Sequence, residues 1–332
     1  MAQSPPFLRR ALLYVPGASQ KMLDKSRTLE VDTLIYDLED SVTLDAKSAA
    51  RSLVARHIAD ASLGHAQRTP KEVSVRINAV DTGLALQDLT EVATIGGSNL
   101  DTIVVPKVES EADLQFVTDV LRHVAPHRVP ESGGKQPPLS IIALIESARG
   151  LTNLHNICRA GQALGVLSGL GFAAEDFATD LSLSPLPNRR ELLYARSTLV
   201  TAARAHGIPS VLDMVSVGSP ITDTIRAALE EESRDGRAMG FTGKQCIHPL
   251  QVGIVSKAFG PTTKELEWAL RVVIGNARSS NEGKGAWSLD GKMIDAPVVK
   301  RAAALVARAK MCGADITSLE AQLQNTEGIV AL

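Results

Sequence analysis

Eight short runs rich in aliphatic and β-branched residues, each followed by a stretch of helical periodicity, confine this chain to very few folds. The runs are Ala11–Val15, Thr33–Leu38, Val73–Asn78, Thr102–Val108, Leu139–Ile145, Leu164–Leu170, Ser210–Val215 and Gly243–His248. Between them apolar residues return at helical spacing, as in Lys47–Ile58, Glu111–His123 and Arg190–Ala205. Strands alternating with helices of this length indicate βαβ units and a parallel sheet. Eight units within roughly 250 residues point to an α/β fold of the TIM (β/α)₈ barrel type. An open doubly wound sheet is the competing arrangement, but no G-x-G-x-x-G follows the first run to mark a dinucleotide site.

Two stretches break the rhythm. Pro126–Pro138 is Pro/Gly-rich and polar and reads as a surface loop before the fifth strand. Beyond Ala258 come one helical pattern, a Gly-rich link (Asn281–Gly285) and a second helix from Pro297 to Lys310. The expected organisation is therefore a catalytic barrel over residues 1–258 and a C-terminal helical extension, small for an independent domain, over 259–332.

Charge narrows the function classes. The net charge is −2 with both signs interspersed, which argues against nucleic acid or an anionic membrane as partner, since counterion release needs a basic face. Aromatics make up only 3 %, so the core must be aliphatic. Cys158, Cys246 and Cys312 stand far apart, without the C-x-x-C spacing of a zinc site or a secreted disulfide framework. There is no apolar run of membrane-spanning length. The N-terminal MAQSPPFLRR lacks the apolar core of a signal peptide and makes a poor transit peptide; the C-terminal Val-Ala-Leu is not a peroxisomal address. The cytosol is the expected location, with a mitochondrial one left open.

In such barrels the chemistry sits at the C-terminal ends of the strands. There the second strand brings Asp37, Glu39 and Asp40, the third Arg76 and Asn78 on one face, the fourth Lys107, the fifth Glu146 and the seventh Asp213. Glu175 and Asp176 follow the sixth. Oxygen donors without His or Cys partners suit a hard cation, and Mg²⁺ typically takes one or two carboxylates. Glu146 and Asp176, from successive strand ends, match that demand, although singly each reads as well as a helix cap or an ion-pair partner. Arg76 reads either as an anion or oxyanion binder, for which its planar fork is suited, or as a structural ion-pair partner of Glu39 or Glu146. Lys107 is a candidate Schiff-base amine, which requires a lowered pKa. His248 lies at the right rim but alone; His57 and His206 are expected to be solvated, and Cys246 to lie in the core.

Nine segments running in order from Arg9 to Val299 resemble the citrate lyase β-subunit-like family of the HpcH/HpaI aldolase superfamily: RRALLYVPG, LIYDLEDSV, VSVRINAVDTGL, IVVPKVES, IIALIESARGL, AAEDF, LLYARSTLV, AMGFTGKQCIHPLQ and DGKMIDAPVV. Free-standing members acting on citramalyl- or malyl-CoA are the nearest in pattern. The resemblance implies a TIM barrel, Mg²⁺, an acyl-CoA thioester substrate and a homotrimer or dimer of trimers. It implies Glu146 and Asp176 as metal ligands and Arg76 as the substrate-binding arginine beside them; Asp37, Glu39, Asp40 and Glu146 are expected to bind substrate with it. It also implies Asp295 as an acid/base donated by a neighbouring subunit, and Pro16, Gly17, Lys21 and Lys25 as the region meeting CoA. Ser147 and the pair Ala173-Ala174 depart from the family's usual Thr and Gly, which bears on fine specificity.

The expected activity is retro-Claisen cleavage of a short 3-hydroxyacyl-CoA thioester to acetyl-CoA and a 2-oxoacid. A malyl-CoA thioesterase or malate-synthase-like activity at the same site, and a citryl thioester lyase of the citrate lyase β-subunit type, are the alternatives. A CoA-independent pyruvate aldolase and a non-catalytic scaffold lie further off, and the joint presence of Arg76, Glu146, Asp176 and Asp295 argues against the scaffold.

Overall fold

The Val, Ile and Leu runs form strands covered on both faces, as a barrel sheathed in helices requires. The structure, a computed structural model, describes residues 7–60, 71–133, 136–186, 188–218, 222–281 and 286–326. It divides into two compact units, Met1–Ser256 and Lys257–Leu332.

In the first unit eight strands close a barrel in sequence order: β1 (Ala11–Pro16), β2 (Thr33–Asp37), β3 (Glu72–Arg76), β4 (Thr102–Val105), β5 (Ser140–Ile145), β6 (Leu167–Phe172), β7 (Ser210–Asp213) and β8 (Gly243–Cys246). Every pairing is parallel, and β1 meets β8 through Leu12 opposite Gln245. The doubly wound alternative is thereby excluded.

Most sequence-based strand limits lie within a few residues of these. The sixth is the largest correction. Leu164 is the last residue of the helix Leu154–Leu164, which Gly165 stops at φ 69°, so the strand begins only at Leu167. β4 is shorter than expected because Pro106 has no N–H to donate and Lys107 turns to φ 50°. The Pro126–Pro138 stretch contains two 3₁₀ turns, Pro126–Arg128 and Pro130–Ser132, and residues 134–135 fall outside the described residues. Its Arg128 is buried rather than on the surface, donating to the carbonyls of Gly97, Leu100 and Pro137.

The barrel interior is layered. At the N-terminal ends of the strands Arg9 donates two hydrogen bonds to Glu72, at 2.8 and 2.6 Å, and others to Ser168 and Ser210. Thr33 and Thr102 donate to the same carboxylate. Burial would raise the pKa of Glu72, but Arg9 and the two hydroxyls outweigh it and hold it low. This polar plug is fully satisfied. Above it Leu12, Ile35, Val104, Ile142, Leu144 and Leu212 form an apolar layer, packed against Tyr14. The inward-facing charged groups at the strand ends then have only the barrel's C-terminal mouth to occupy.

Among its described residues the second unit holds the helices Thr263–Asn281, Ala296–Met311 and Ile316–Thr326, and a hairpin of β9 (Trp287–Leu289) and β10 (Lys292–Ile294) that sequence reading did not anticipate. It buries a cluster of its own around Leu270, Leu289, Ile294, Ala302 and Val306. Of the Gly-rich link, residues 282–285 fall outside the described residues, whereas Asn281 ends a helix.

Candidate active site

The mouth is organised by the end of β2. Asp37 accepts from Arg76 Nε at 2.7 Å and Nη2 at 2.8 Å, a bidentate pair that ties β2 to β3. The same carboxylate accepts from the backbone N–H groups of Glu39 and Ser41, bending the chain so that Glu39 and Asp40 return toward Arg76. Lys47 fastens that bend from outside by donating to the carbonyls of Leu38 and Glu39. Gly17 completes the packing. Its N–H donates to Asp37 O at 2.9 Å, and a Cβ there would lie 2.6 Å from that oxygen.

Arg76 therefore faces three carboxylates: Asp37, Glu39 at 2.9 Å and the largely exposed Asp40 at 3.1 Å. Its guanidinium carbon also stands 4.9 Å from the centre of the Tyr14 ring, a cation–π distance. Burial opposes the charge on Arg76, but the Asp37 hydrogen bonds and charge outweigh it, so its pKa is raised and the group stays cationic. For Asp37 burial is likewise overcome by Arg76, and its pKa is lowered.

Lys107 donates to Glu39 Oε1 at 2.6 Å and stands 3.8 Å from Glu146. Burial would lower its pKa; the hydrogen bond and charge of Glu39 and the charge of Glu146 win, and the pKa rises. That is the opposite of what an imine-forming amine needs. The geometry favours a charge-balancing role for Lys107.

Glu146, just past β5, is the least compensated group of the set. It is buried, and its Oε1 has no hydrogen-bond partner among the described residues. Burial first, then the charges of Glu39 and Asp176, push its pKa up to about 7 despite Lys107. A buried acid left with an open oxygen costs stability, and a cation would relieve it. Asp176 lies exposed in the first turn of the helix Ala174–Asp180, beside Glu175. Among the described residues no three His, Cys, Asp or Glu side chains converge as a metal cage. A Mg²⁺ site built on two carboxylates, with water and substrate completing the shell, does not require one. The hard oxygen donors and the orphaned Oε1 fit such an ion.

A cavity of about 390 Å³ opens here. Asp37, Asp40, Arg76, Glu175 and Asp176 line it, together with Pro16, Leu144, Phe172, Val215 and Gln245. Of the residues expected to meet CoA, Pro16 lines the cavity and Gly17 abuts Asp37, while Lys21 and Lys25 are exposed on the helix Gln20–Ser26.

Several candidates lie elsewhere. Asp213 pairs with Arg196 at 2.8 Å on the outer side of the barrel, and Asn78 donates to Asp88. His57 is buried against Tyr36 and Arg27, not solvated; burial, then the Arg27 charge, lowers its pKa to about 4. His206 bonds to His155 and Gln162 on the helical layer. Cys246 is in the core as expected. Asp295 belongs to the second unit, where its exposed carboxylate caps the helix Ala296–Met311 by accepting from Val298 N–H. Sequence reading missed Tyr14, Ser41, Lys47 and Gln245.

Comparison with known proteins places this geometry in context. The family model described as HpcH/HpaI aldolase/citrate lyase matches residues 10–249. The mitochondrial citramalyl-CoA lyase of Homo sapiens is 35% identical over 301 residues, 89% of this chain and 83% of that protein. The citrate lyase subunit beta of Escherichia coli K12 is 34% identical over 306 residues, 92% and 94% of the two chains. Among solved structures, CitE of Mycobacterium tuberculosis in complex with magnesium, acetoacetate and coenzyme A matches with a TM-score of 0.67 at 31% identity. That match covers 91% of this chain and 98% of the other.

The state of Lys107 is directly testable. Borohydride added in the presence of pyruvate should leave Lys107 unmodified in peptide mass mapping. A reduced pyruvyl adduct on Lys107 would establish imine chemistry instead.

Proposed function

Because the chain belongs to the HpcH/HpaI aldolase/citrate lyase family, we propose that it is a Mg²⁺-dependent carbon–carbon lyase of short 3-hydroxyacyl-CoA thioesters. Citramalyl- or malyl-CoA would be cleaved into acetyl-CoA and a 2-oxoacid. The observation that carries this reading is the open oxygen of Glu146, buried beside Lys107 and Glu39 and within electrostatic reach of Asp176. The relative named for citramalyl-CoA and the solved neighbour holding magnesium and coenzyme A support it.

Glu146 and Asp176 would hold Mg²⁺, which when bound supplies Lewis acidity to the oxygens of the 2-oxoacid half. Arg76, oriented in advance by Asp37, offers positive charge where the acetyl thioester becomes an enolate: the C3 hydroxyl gives its proton to solvent, its O–H electron pair closes the 2-oxoacid carbonyl, and the C2–C3 bond breaks and leaves its pair on the enolate. Fixed dipoles and charges of this kind need no reorganisation at the moment of reaction. Lys107 keeps the Glu39–Glu146 pair from excess negative charge. Lys21 and Lys25, four residues apart on one exposed helix face, suit the phosphates of CoA at the Pro16–Gly17 end of the cavity. Asp295, delivered from a neighbouring subunit of a trimer, would protonate the terminal carbon of the enolate, or take a proton from acetyl-CoA in the reverse direction.

A product assay over citramalyl-, malyl-, methylmalyl- and citryl-CoA, with Mg²⁺ and with EDTA, tests the reaction. Acetyl-CoA plus pyruvate or glyoxylate, formed only with Mg²⁺, is the expected outcome. Free CoA with intact malate would identify a thioesterase, and full activity in EDTA would remove the metal from the account.

The role of Asp295 has a separate test. Asn caps a helix as well as Asp, so Asp295→Asn keeps the fold and should lose about 10²–10⁴ in rate, the usual contribution of a positioned acid/base. Mixing it with inactive Glu146→Gln should restore activity through hybrid oligomers. No rescue despite demonstrated subunit exchange would contradict donation in trans.

A further inference from the structure

Tyr14 and Gln245 sit on β1 and β8, the two strands whose contact closes the barrel, and both line the cavity. Gln245 Nε2 donates to the backbone carbonyls of Phe172 at 2.9 Å and Asp213 at 3.1 Å, the last residues of β6 and β7. Two carbonyl partners fix which end of the amide is nitrogen. Its Oε1 is therefore an acceptor and takes the Tyr14 hydroxyl at 2.7 Å. Gly171 lies beside this amide, and its missing side chain makes room for Leu144: a Cβ there would lie 2.5 Å from Leu144 Cδ2, while Gln245 Nε2 at 3.7 Å would be in ordinary contact.

The consequence falls on Arg76. With its proton committed to Gln245, Tyr14 is pinned, and its ring stands 4.9 Å from the Arg76 guanidinium carbon. Asp37 fixes the Nε/Nη2 edge of that group. Glu39 and the exposed Asp40 meet its Nη1 from the β2 side; the Tyr14 ring is the contact that reaches it from β1. We propose that Tyr14 and Gln245 are positioning residues, a hydrogen-bonded pair that carries the framework of β6 and β7 to Arg76 and helps set its position in the cavity. Neither touches the reacting atoms. Burial also keeps the phenol neutral by raising its pKa, so the pair holds its geometry across the working pH range.

The kinetic consequence rests on the lyase reading; the placement of Arg76 does not, and the test separates the two. Tyr14→Phe keeps the ring and loses only the anchor. It should lower kcat about tenfold with KM within about twofold, since displacing a charge that acts in the transition state by a fraction of an ångström falls short of the 10²-fold cost of 1 Å. Gln245→Met removes the same hydrogen bond, so the double variant should be no worse than the poorer single one. Independently of substrate, ¹⁵N-arginine spectra of the intact protein should show the Arg76 Nε–H exchanging faster with solvent in both variants. Tyr14→Leu should further move that resonance by removing the ring. An unchanged Arg76 Nε–H in Tyr14→Phe, or additive kinetic losses, overturns the proposal. A changed resonance in a protein inactive on every thioester keeps the positioning role and overturns the lyase reading alone.

Discussion

Two buried carboxylate oxygens at the barrel mouth, Glu39 Oε2 and Glu146 Oε1, have no hydrogen-bond partner among the described residues; Arg76 stands 2.9 Å from the first, so the deficit falls on Glu146 and the mouth is arranged around it. The opposite end of the same barrel shows that the chain can satisfy such a group. There Glu72, equally buried, accepts from Arg9, Thr33 and Thr102 and is held ionised. An unsatisfied buried polar group costs about 1–3 kcal/mol, and more when it is charged. A fold that closes one end completely and leaves the other short of positive charge carries its local strain where a ligand can relieve it.

The surrounding groups follow from that asymmetry. The Arg76–Asp37 pair locks β2 to β3 and keeps one cation at the mouth, while Lys107 holds Glu39 and stands off Glu146 at 3.8 Å. Even with Lys47 counted beside them, three cations face the five carboxylates Asp37, Glu39, Asp40, Glu146 and Asp176, and the excess is negative. A divalent ion answers that excess; a lysine imine would not, because the protonated imine carries only the single charge the ammonium already had, which is why the charged state of Lys107 and the deficit at Glu146 belong to one account.

Much of this was legible in the sequence, and the remainder was hidden for identifiable reasons. Aliphatic runs alternating with helical patterns suffice for eight barrel strands, because a barrel demands the same unit eight times. Arg76 stood out as a charge inside an apolar run, and Glu146 and Asp176 as carboxylates at strand ends. Asp213 stood out by the same logic, yet it faces outward to Arg196; it is the last residue of β7, and alternation with the inward Leu212 turns it to the helical layer. His57 was misread because a helix face gives no indication that Tyr36 and Arg27 will cover it. Tyr14 and Gln245 were missed because their partnership spans 231 positions and exists only through the closure of β1 on β8. The hairpin Trp287–Ile294 was missed because two three-residue strands have no period to detect.

The central claim is that the Glu146 charge is the seat of cation binding, and calorimetric titration of Mg²⁺ without substrate at pH 8 and pH 6 tests it most directly. Protons compete for a carboxyl pushed up to about 7, so affinity should fall about tenfold over that interval, a factor of ten per pH unit below the pKa. In Glu146→Gln affinity should be weaker at both values and the pH dependence should disappear. Affinity that is flat between pH 6 and pH 8 in the wild type, or that survives Glu146→Gln, would contradict the account.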